Sequence, residues 1–82
     1  MFTKKKATHR MNFVIRSRIK ELRARYDLTQ EQLATLVDVR RETIHHIEKG
    51  KYNLSLLLAY KISRALESTI EEVFSFEEIV EG

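Results

Sequence analysis

Eighty-two residues with 15 Lys plus Arg against 12 Asp plus Glu carry a formal charge of +3, and a second hydrophobic core would need roughly 100 more residues, so the chain is read as one domain. It has no cysteine, no proline and only two glycines, Gly50 and Gly82, which excludes a disulfide framework, thiol chemistry and a turn-rich β fold. Hydrophobics at 43% are too many for a disordered chain, and neither a run of roughly 18 apolar residues nor a signal-peptide core occurs, so the expectation is a soluble, cytoplasmic, helical domain with no membrane span.

Residues 1–11 show no periodicity and hold Lys4, Lys5, Lys6 and Arg10; they read as a flexible basic arm, with Met11 a rival first residue. From Phe13 the pattern is helical. Ile15, Ile19, Leu22 and Tyr26 recur at steps of four, three and four in one apolar stripe. Arg16, Arg18, Lys20, Arg23 and Arg25 take the other faces, and this first helix ends near Asp27. Thr29 opens the second helix as an N-cap, and Gln32 completes a capping box. Leu33, Leu36 and Val37 face inward there, with small Ala34 where another helix must approach. Asp38-Val39-Arg40 interrupts the pattern.

The third helix runs from Arg41 to Lys49 and stops at Gly50, a left-handed position. At about 100° per residue, Ile44 and Ile47 define its core side, while Glu42, His45, His46 and Lys49 point nearly opposite. Lys51-Tyr52-Asn53 is a loop. Ser55 caps a fourth helix over 56–67, apolar on more than half its circumference, so it is the central packing element or carries a second contact surface. Thr69 and Glu72 form another capping box before a short fifth helix with Ile70, Val73 and Phe74. Phe74-Ser75-Phe76-Glu77 then alternates like a short strand, and its available partner is Asn12-Phe13-Val14.

The net charge divides unevenly. Residues 1–53 hold 13 Lys/Arg and 6 Asp/Glu, giving +7, and residues 54–82 hold 2 and 6, giving −4. A basic portion beside an acidic one points to a polyanion partner for the first.

Two short helices joined by three residues, the second presenting polar side chains, make a helix-turn-helix. The residues Ile19-Lys20-Glu21-Leu22-Arg23, Leu28-Thr29-Gln30-Glu31-Gln32-Leu33-Ala34, Arg41-Glu42-Thr43-Ile44, Ile47-Glu48-Lys49-Gly50-Lys51-Tyr52-Asn53 and Ile70-Glu71-Glu72-Val73-Phe74 are in family register. Over residues 15–74 the chain resembles the Cro/C1-type, or XRE, family of helix-turn-helix regulators in its compact stand-alone form. The resemblance implies an all-α, five-helix lambda-repressor-like fold, here with a short C-terminal strand. It divides the chain into the arm at 1–11, the helix-turn-helix domain at 12–76 and an acidic tail at 77–82.

It also implies a function: sequence-specific binding of double-stranded DNA as a transcriptional regulator, in the repressor sense, by a homodimer. Arg41, Glu42 and His45 stand where the family's recognition helix meets base edges. Arg41 suits guanine O6 and N7, and Glu42 suits cytosine N4. Gln30 stands where the family contacts a phosphate at a helix N-terminus, or else serves as a good helix former in the capping box. Thr43 touches phosphate or methyl groups, or packs on the second helix. Lys49, Lys51, Tyr52 and Asn53 stand where the family grips the DNA backbone, with a half-buried Tyr52 as the plain reading of that residue. Lys4, Lys5 and Lys6 add nonspecific affinity. Glu48 is expected to pair with Arg23. The fifth helix, Phe74, Phe76 and the exposed edge of the fourth helix are the expected dimer surface, because apolar residues there exceed what one small core can absorb.

Three positions depart from the family pattern. Asp38 replaces the turn glycine. Leu54 replaces a proline. Arg40 replaces the Ser or Thr that caps the third helix and so joins Arg41 as a base-contacting cation. No cofactor is implied. Adjacent His45 and His46 diverge by about 100° on a helix, and Glu42 is the one metal-binding neighbour a turn away, so no metal site is expected. An enzyme is excluded for want of a nucleophile–base spacing or a phosphate loop. The alternative function is an antitoxin of a toxin–antitoxin pair, with Glu77-Glu78-Ile79-Val80-Glu81 engaging the partner.

Overall fold

The computed structural model describes residues 11–80; Lys4, Lys5 and Lys6 of the arm and Glu81 of the tail lie outside them. The elements run in the order β1 (Phe13–Ser17), α1 (Ile19–Arg25), α2 (Gln30–Val37), α3 (Arg41–Glu48), α4 (Leu56–Ala65), α5 (Ile70–Val73) and β2 (Phe74–Glu78). Five helices thus carry a small two-stranded sheet, and all-α describes the body but not the whole. No helix among the described residues is long and apolar enough to cross a membrane.

The periodic positions build the core. Ile19, Leu22, Leu33, Ile44, Ile47, Ile62, Leu66 and Val73 are each 1% exposed or less. Ala34 is buried with them. Ser63, a buried polar residue, donates its hydroxyl to the Ala59 carbonyl at 2.8 Å, so its burial strands no polar group. Both capping boxes form: Thr29 accepts from the Gln32 amide and Thr69 from the Glu72 amide, with the reciprocal bonds present. Ser55 caps α4 by accepting from the Leu58 amide.

Phe13–Ser17 is a strand rather than the first turn of α1. It pairs antiparallel with β2 in the register Phe13↔Glu78, Ile15↔Phe76 and Ser17↔Phe74. The segment is rich in the aromatic and β-branched residues that suit a pleat, and the pairing satisfies backbone groups that a helix would otherwise leave for its own ladder. The Arg18 amide then donates to the Val73 carbonyl at 2.8 Å, and α1 begins at Ile19 without a side-chain cap. Ile15 still packs against the core, now as an inward strand residue. Strand β2 holds the predicted Phe74-Ser75-Phe76-Glu77 and runs one residue further, to Glu78.

Three apolar residues sit elsewhere than expected. Leu36, on α2, is 62% exposed, and Tyr26, the residue that ends α1, is 39% exposed. Phe74, assigned from sequence to a dimer surface, is 6% exposed and belongs to the core. Strand alternation puts Phe76 on the same sheet face, but where the ribbon has outrun the helices, and it is 67% exposed.

The first four helices end alike. Asp27, Asp38, Gly50 and Glu67 all take positive φ, at 56°, 61°, 73° and 52°. At each, the following amide reaches back five residues to a carbonyl: Leu28 to Arg23 at 2.9 Å, Val39 to Ala34 at 3.0 Å, Lys51 to His46 at 2.9 Å and Ser68 to Ser63 at 2.8 Å. These are Schellman closures, which satisfy the last carbonyls of each helix and reverse the chain within a few residues. The Asp38 closure sets the short α2–α3 turn.

Candidate nucleic-acid interface

Ile44 and Ile47 anchor one side of α3 in the core, which turns Arg41, Glu42, His46 and Lys49 to the surface, with Thr43 and His45 half-buried. The two histidine rings stand 5.7 Å apart between centroids and are tilted by 59°. They fan outward rather than converge, and the described residues hold no group of three or more His, Cys, Asp or Glu able to share a metal ion. Arg40 precedes the helix in extended conformation and makes no capping bond. Its exposed guanidinium stands next in sequence to that of Arg41 at the same helix end.

After α3 the chain is pinned. Gly50 is left-handed, and a Cβ there would meet Arg16 Nη1 at 3.1 Å and the Ile15 carbonyl at 3.4 Å. Strand β1 therefore passes directly beside this turn. The Lys51 amide is tied to the His46 carbonyl, so the exposed residues Lys51, Tyr52 and Asn53 leave from the end of α3 at a fixed point.

The interior of the helix-turn-helix is held by one carboxylate. Arg23 Nε donates to Glu48 Oε2 at 2.8 Å and Arg23 Nη2 to Glu48 Oε1 at 3.3 Å, while Nη1 donates to the Leu28 carbonyl at 2.9 Å. The side chains of Arg23 and Glu48 are 14% and 9% exposed. The expected pair is present, and it has a third member that the sequence did not suggest. Gln30, first residue of α2, donates Nε2 to Glu48 Oε1 at 3.0 Å, and its Oε1 accepts from Arg41 Nη1 at 3.5 Å. Nothing in local pattern links positions 30 and 48; the only clue was that both lie on the helix-turn-helix near Arg23.

The cations divide by partner. Among the described residues, ion pairs engage Arg16 with Glu77, Arg18 with Glu21 and Arg23 with Glu48. The hydrogen bond from Arg18, and then its charge, hold the Glu21 carboxyl below its ordinary value. Arg40, Arg41, Lys49 and Lys51 enter no ion pair among the described residues. Lys20, which sequence reasoning assigned no role, joins Lys49, His45 and Gln30 around a groove of about 390 Å³ between α1 and α3. Uncompensated cations on one face, beside a helix whose side chains are rich in hydrogen-bonding groups, form an electrostatic footprint for a polyanion.

Residues 19–73 match a family model described as Helix-turn-helix, HTH_3. An uncharacterized HTH-type transcriptional regulator of Archaeoglobus fulgidus is 59% identical over 64 residues, 78% of this chain and 90% of its own length. The restriction-modification controller protein C.AhdI from Aeromonas hydrophila is similar in structure, with a TM-score of 0.63 and 36% identity over 67% of this chain and 83% of that one. The transcriptional regulator VanUg gives a TM-score of 0.70 over 93% of this chain and all (100%) of its own, at 16% identity, a likeness of fold. The chain belongs to the Cro/C1-type, or XRE, helix-turn-helix family of transcriptional regulators.

Proposed function

We propose that the protein binds double-stranded DNA at a specific sequence as a homodimer and acts as a repressor. In this reading α3 enters the major groove. Arg40, Arg41, Glu42 and His45 meet base edges there, with Arg41 bonding guanine O6 and N7. Gln30, Thr43, Lys49, Lys51, Tyr52 and Asn53 hold the flanking phosphates and fix the register. Two copies place their α3 helices about 34 Å apart on a pseudo-palindromic site. Repression follows from occupancy in this reading, because a dimer seated in the major groove blocks other proteins from the same base pairs.

One observation carries the reading: a helix fixed to the core by two isoleucines, Ile44 and Ile47, with Arg40, Arg41, Lys49 and Lys51 unneutralised at its two ends. Similarity to a restriction-modification controller supports the regulatory part. The antitoxin reading draws on Ile79 and Val80, 44% and 81% exposed among acidic residues.

Selection from random duplex DNA tests the proposal. The expected result is enrichment of two related half-sites whose centres lie about one helical turn apart. No enrichment, together with co-purification of a small toxic protein, overturns it in favour of the antitoxin. On the selected site, Arg41→Ala is expected to cost about 1–3 kcal/mol and relax the preference at one base pair. Equal loss on every sequence removes the base-reading role.

A further inference from the structure

Gln30 is bonded at both ends of its amide, and the bonds leave it one orientation. Glu48 is nearly buried and takes donors from Arg23 on α1 and from Gln30 on α2. An ionised carboxylate only accepts, so the Gln30 NH₂ group must turn toward it; the reverse sense would set one oxygen against another at 3.0 Å. The outer end of the amide is then Oε1, an acceptor, and it faces Arg41 at 3.5 Å. A guanidinium has five donors and no acceptor. Turned this way Gln30 draws Arg41 in; turned the other way it would meet it donor to donor.

We propose that Glu48 is a positioning residue for Arg41. Held by Arg23, it sets the sense of the Gln30 amide, and Gln30 Oε1 holds the Arg41 guanidinium at the start of the recognition helix. Base choice at Arg41 thereby depends on two residues, Glu48 and Arg23, that stand behind the DNA-facing surface. The 3.5 Å contact lies at the long end for a hydrogen bond. It engages one Nη, so the rest of the fork remains for the two acceptors of a guanine. The relay restricts the side chain before DNA arrives, and a restricted donor fork discriminates between bases where a free one settles on any nearby acceptor. The inference rests on the base-reading role given to Arg41 above and adds what orients it.

The test uses the full chain, the selected duplex, and a duplex changed at the base pair whose preference Arg41→Ala relaxes. Gln30→Met keeps the length of the side chain and removes both bonds. Glu48→Gln keeps the shape but lets either sense of the Gln30 amide form a bond. Both are expected to lower discrimination between the two duplexes by about tenfold. In the free protein, the Arg41 Nε–Hε order parameter measured by NMR is expected to fall in both variants. If Gln30→Met weakens both duplexes alike and leaves the Arg41 order parameter unchanged, Gln30 acts through its phosphate contact alone and the relay is overturned. If Gln30→Met loses discrimination and a folded Glu48→Gln does not, Glu48 has no positioning role. Should Glu48→Gln fail to fold, Arg23→Lys takes its place, since it keeps the charge but loses the fork that fixes Glu48. If Arg41→Ala alters preference at no base pair while the order parameter still falls in Gln30→Met, the base-reading role fails and the relay is a contact without a reading function.

Discussion

Glu48 holds the most heavily bonded carboxylate among the described residues, and its environment sets what its loss would do. The Glu48→Ala change leaves the Arg23 guanidinium, 14% exposed, with only the Leu28 carbonyl. Removing one partner of a nearly buried pair leaves an uncompensated charge, so the expected loss is about 3 kcal/mol in urea unfolding. The double change Arg23→Met with Glu48→Leu is expected to cost less than Glu48→Ala alone, because no charge is then stranded. A larger loss in the double variant would mean that the pair contributes net stability. Exposed pairs such as Arg16–Glu77 contribute little by comparison. Lys51 stands at the other extreme, exposed at a fixed turn. Lys51→Ala is expected to weaken all duplexes alike and to lower the slope of log K against log salt by about one. An unchanged slope would remove its phosphate contact.

At the scale of elements, the helix ends carry a reserve of strain. Glu67 sits at φ 52° and Asp27 and Asp38 at 56° and 61°, where a side chain costs roughly 1 kcal/mol relative to glycine. Acids also lie unfavourably at helix C-termini. Glu67→Gly is therefore expected to raise stability by about 0.5–1 kcal/mol, after the larger entropy of an unfolded glycine is set against the relief. Asp38→Gly should gain less, since a short polar side chain tolerates the left-handed region better. Gly50→Ala runs the other way, strained at φ 73° and forcing Arg16 Nη1, 3.1 Å from the new Cβ, to give way. Thermal unfolding of the three variants checks the order; a stabilised Gly50→Ala would refute the argument. The same elements mark what could be read from sequence. Capping boxes at Thr29 and Thr69 and the turns at Asp38 and Gly50 were legible because each is made within a few residues. Strand β1 was legible only in part. Asn12-Phe13-Val14 offered itself as the partner of the C-terminal strand, and Phe13 and Val14 do pair with it. But Ile15 falls one helical step from Ile19 by arithmetic, while its true partner, Phe76, is remote in sequence. Pairing across that distance leaves no local period. The site divides likewise. The outward face of α3 follows from Ile44 and Ile47, but the turn of Gln30 toward Glu48 depends on how three helices meet.

Taken as a whole, the molecule separates two surfaces. Arg40, Arg41, Lys49 and Lys51 stand without ion pairs among the described residues at the two ends of α3. Large apolar groups are exposed on the ribbon and at the start of α4: Phe13 at 47%, Phe76 at 67%, Leu56 at 75% and Leu57 at 63%. The ribbon explains part of this. Its inward face begins at Phe74, under the helices, and continues to Phe76, which pairs with Ile15 at the edge of the core and which nothing among the described residues covers. A second copy would cover it, and the acidic C-terminal portion would then lie away from the phosphates while both α3 helices face them. A stable pairing needs about 1,200 Å² or more of buried surface, which asks for the ribbon and the start of α4 together. Phe76→Glu places a charge on that face without touching the core, so the variant is expected to stay folded and to run as a monomer in light scattering. Its affinity for a duplex with both half-sites should fall by about a hundredfold, because the second recognition helix no longer arrives tethered to the first. Affinity for a single half-site should hold, since α3 and its flanking cations are untouched. A monomer that kept full affinity for the double site would show that the two helices bind independently. A dimer that survived the change would move the interface to Leu56 and Leu57.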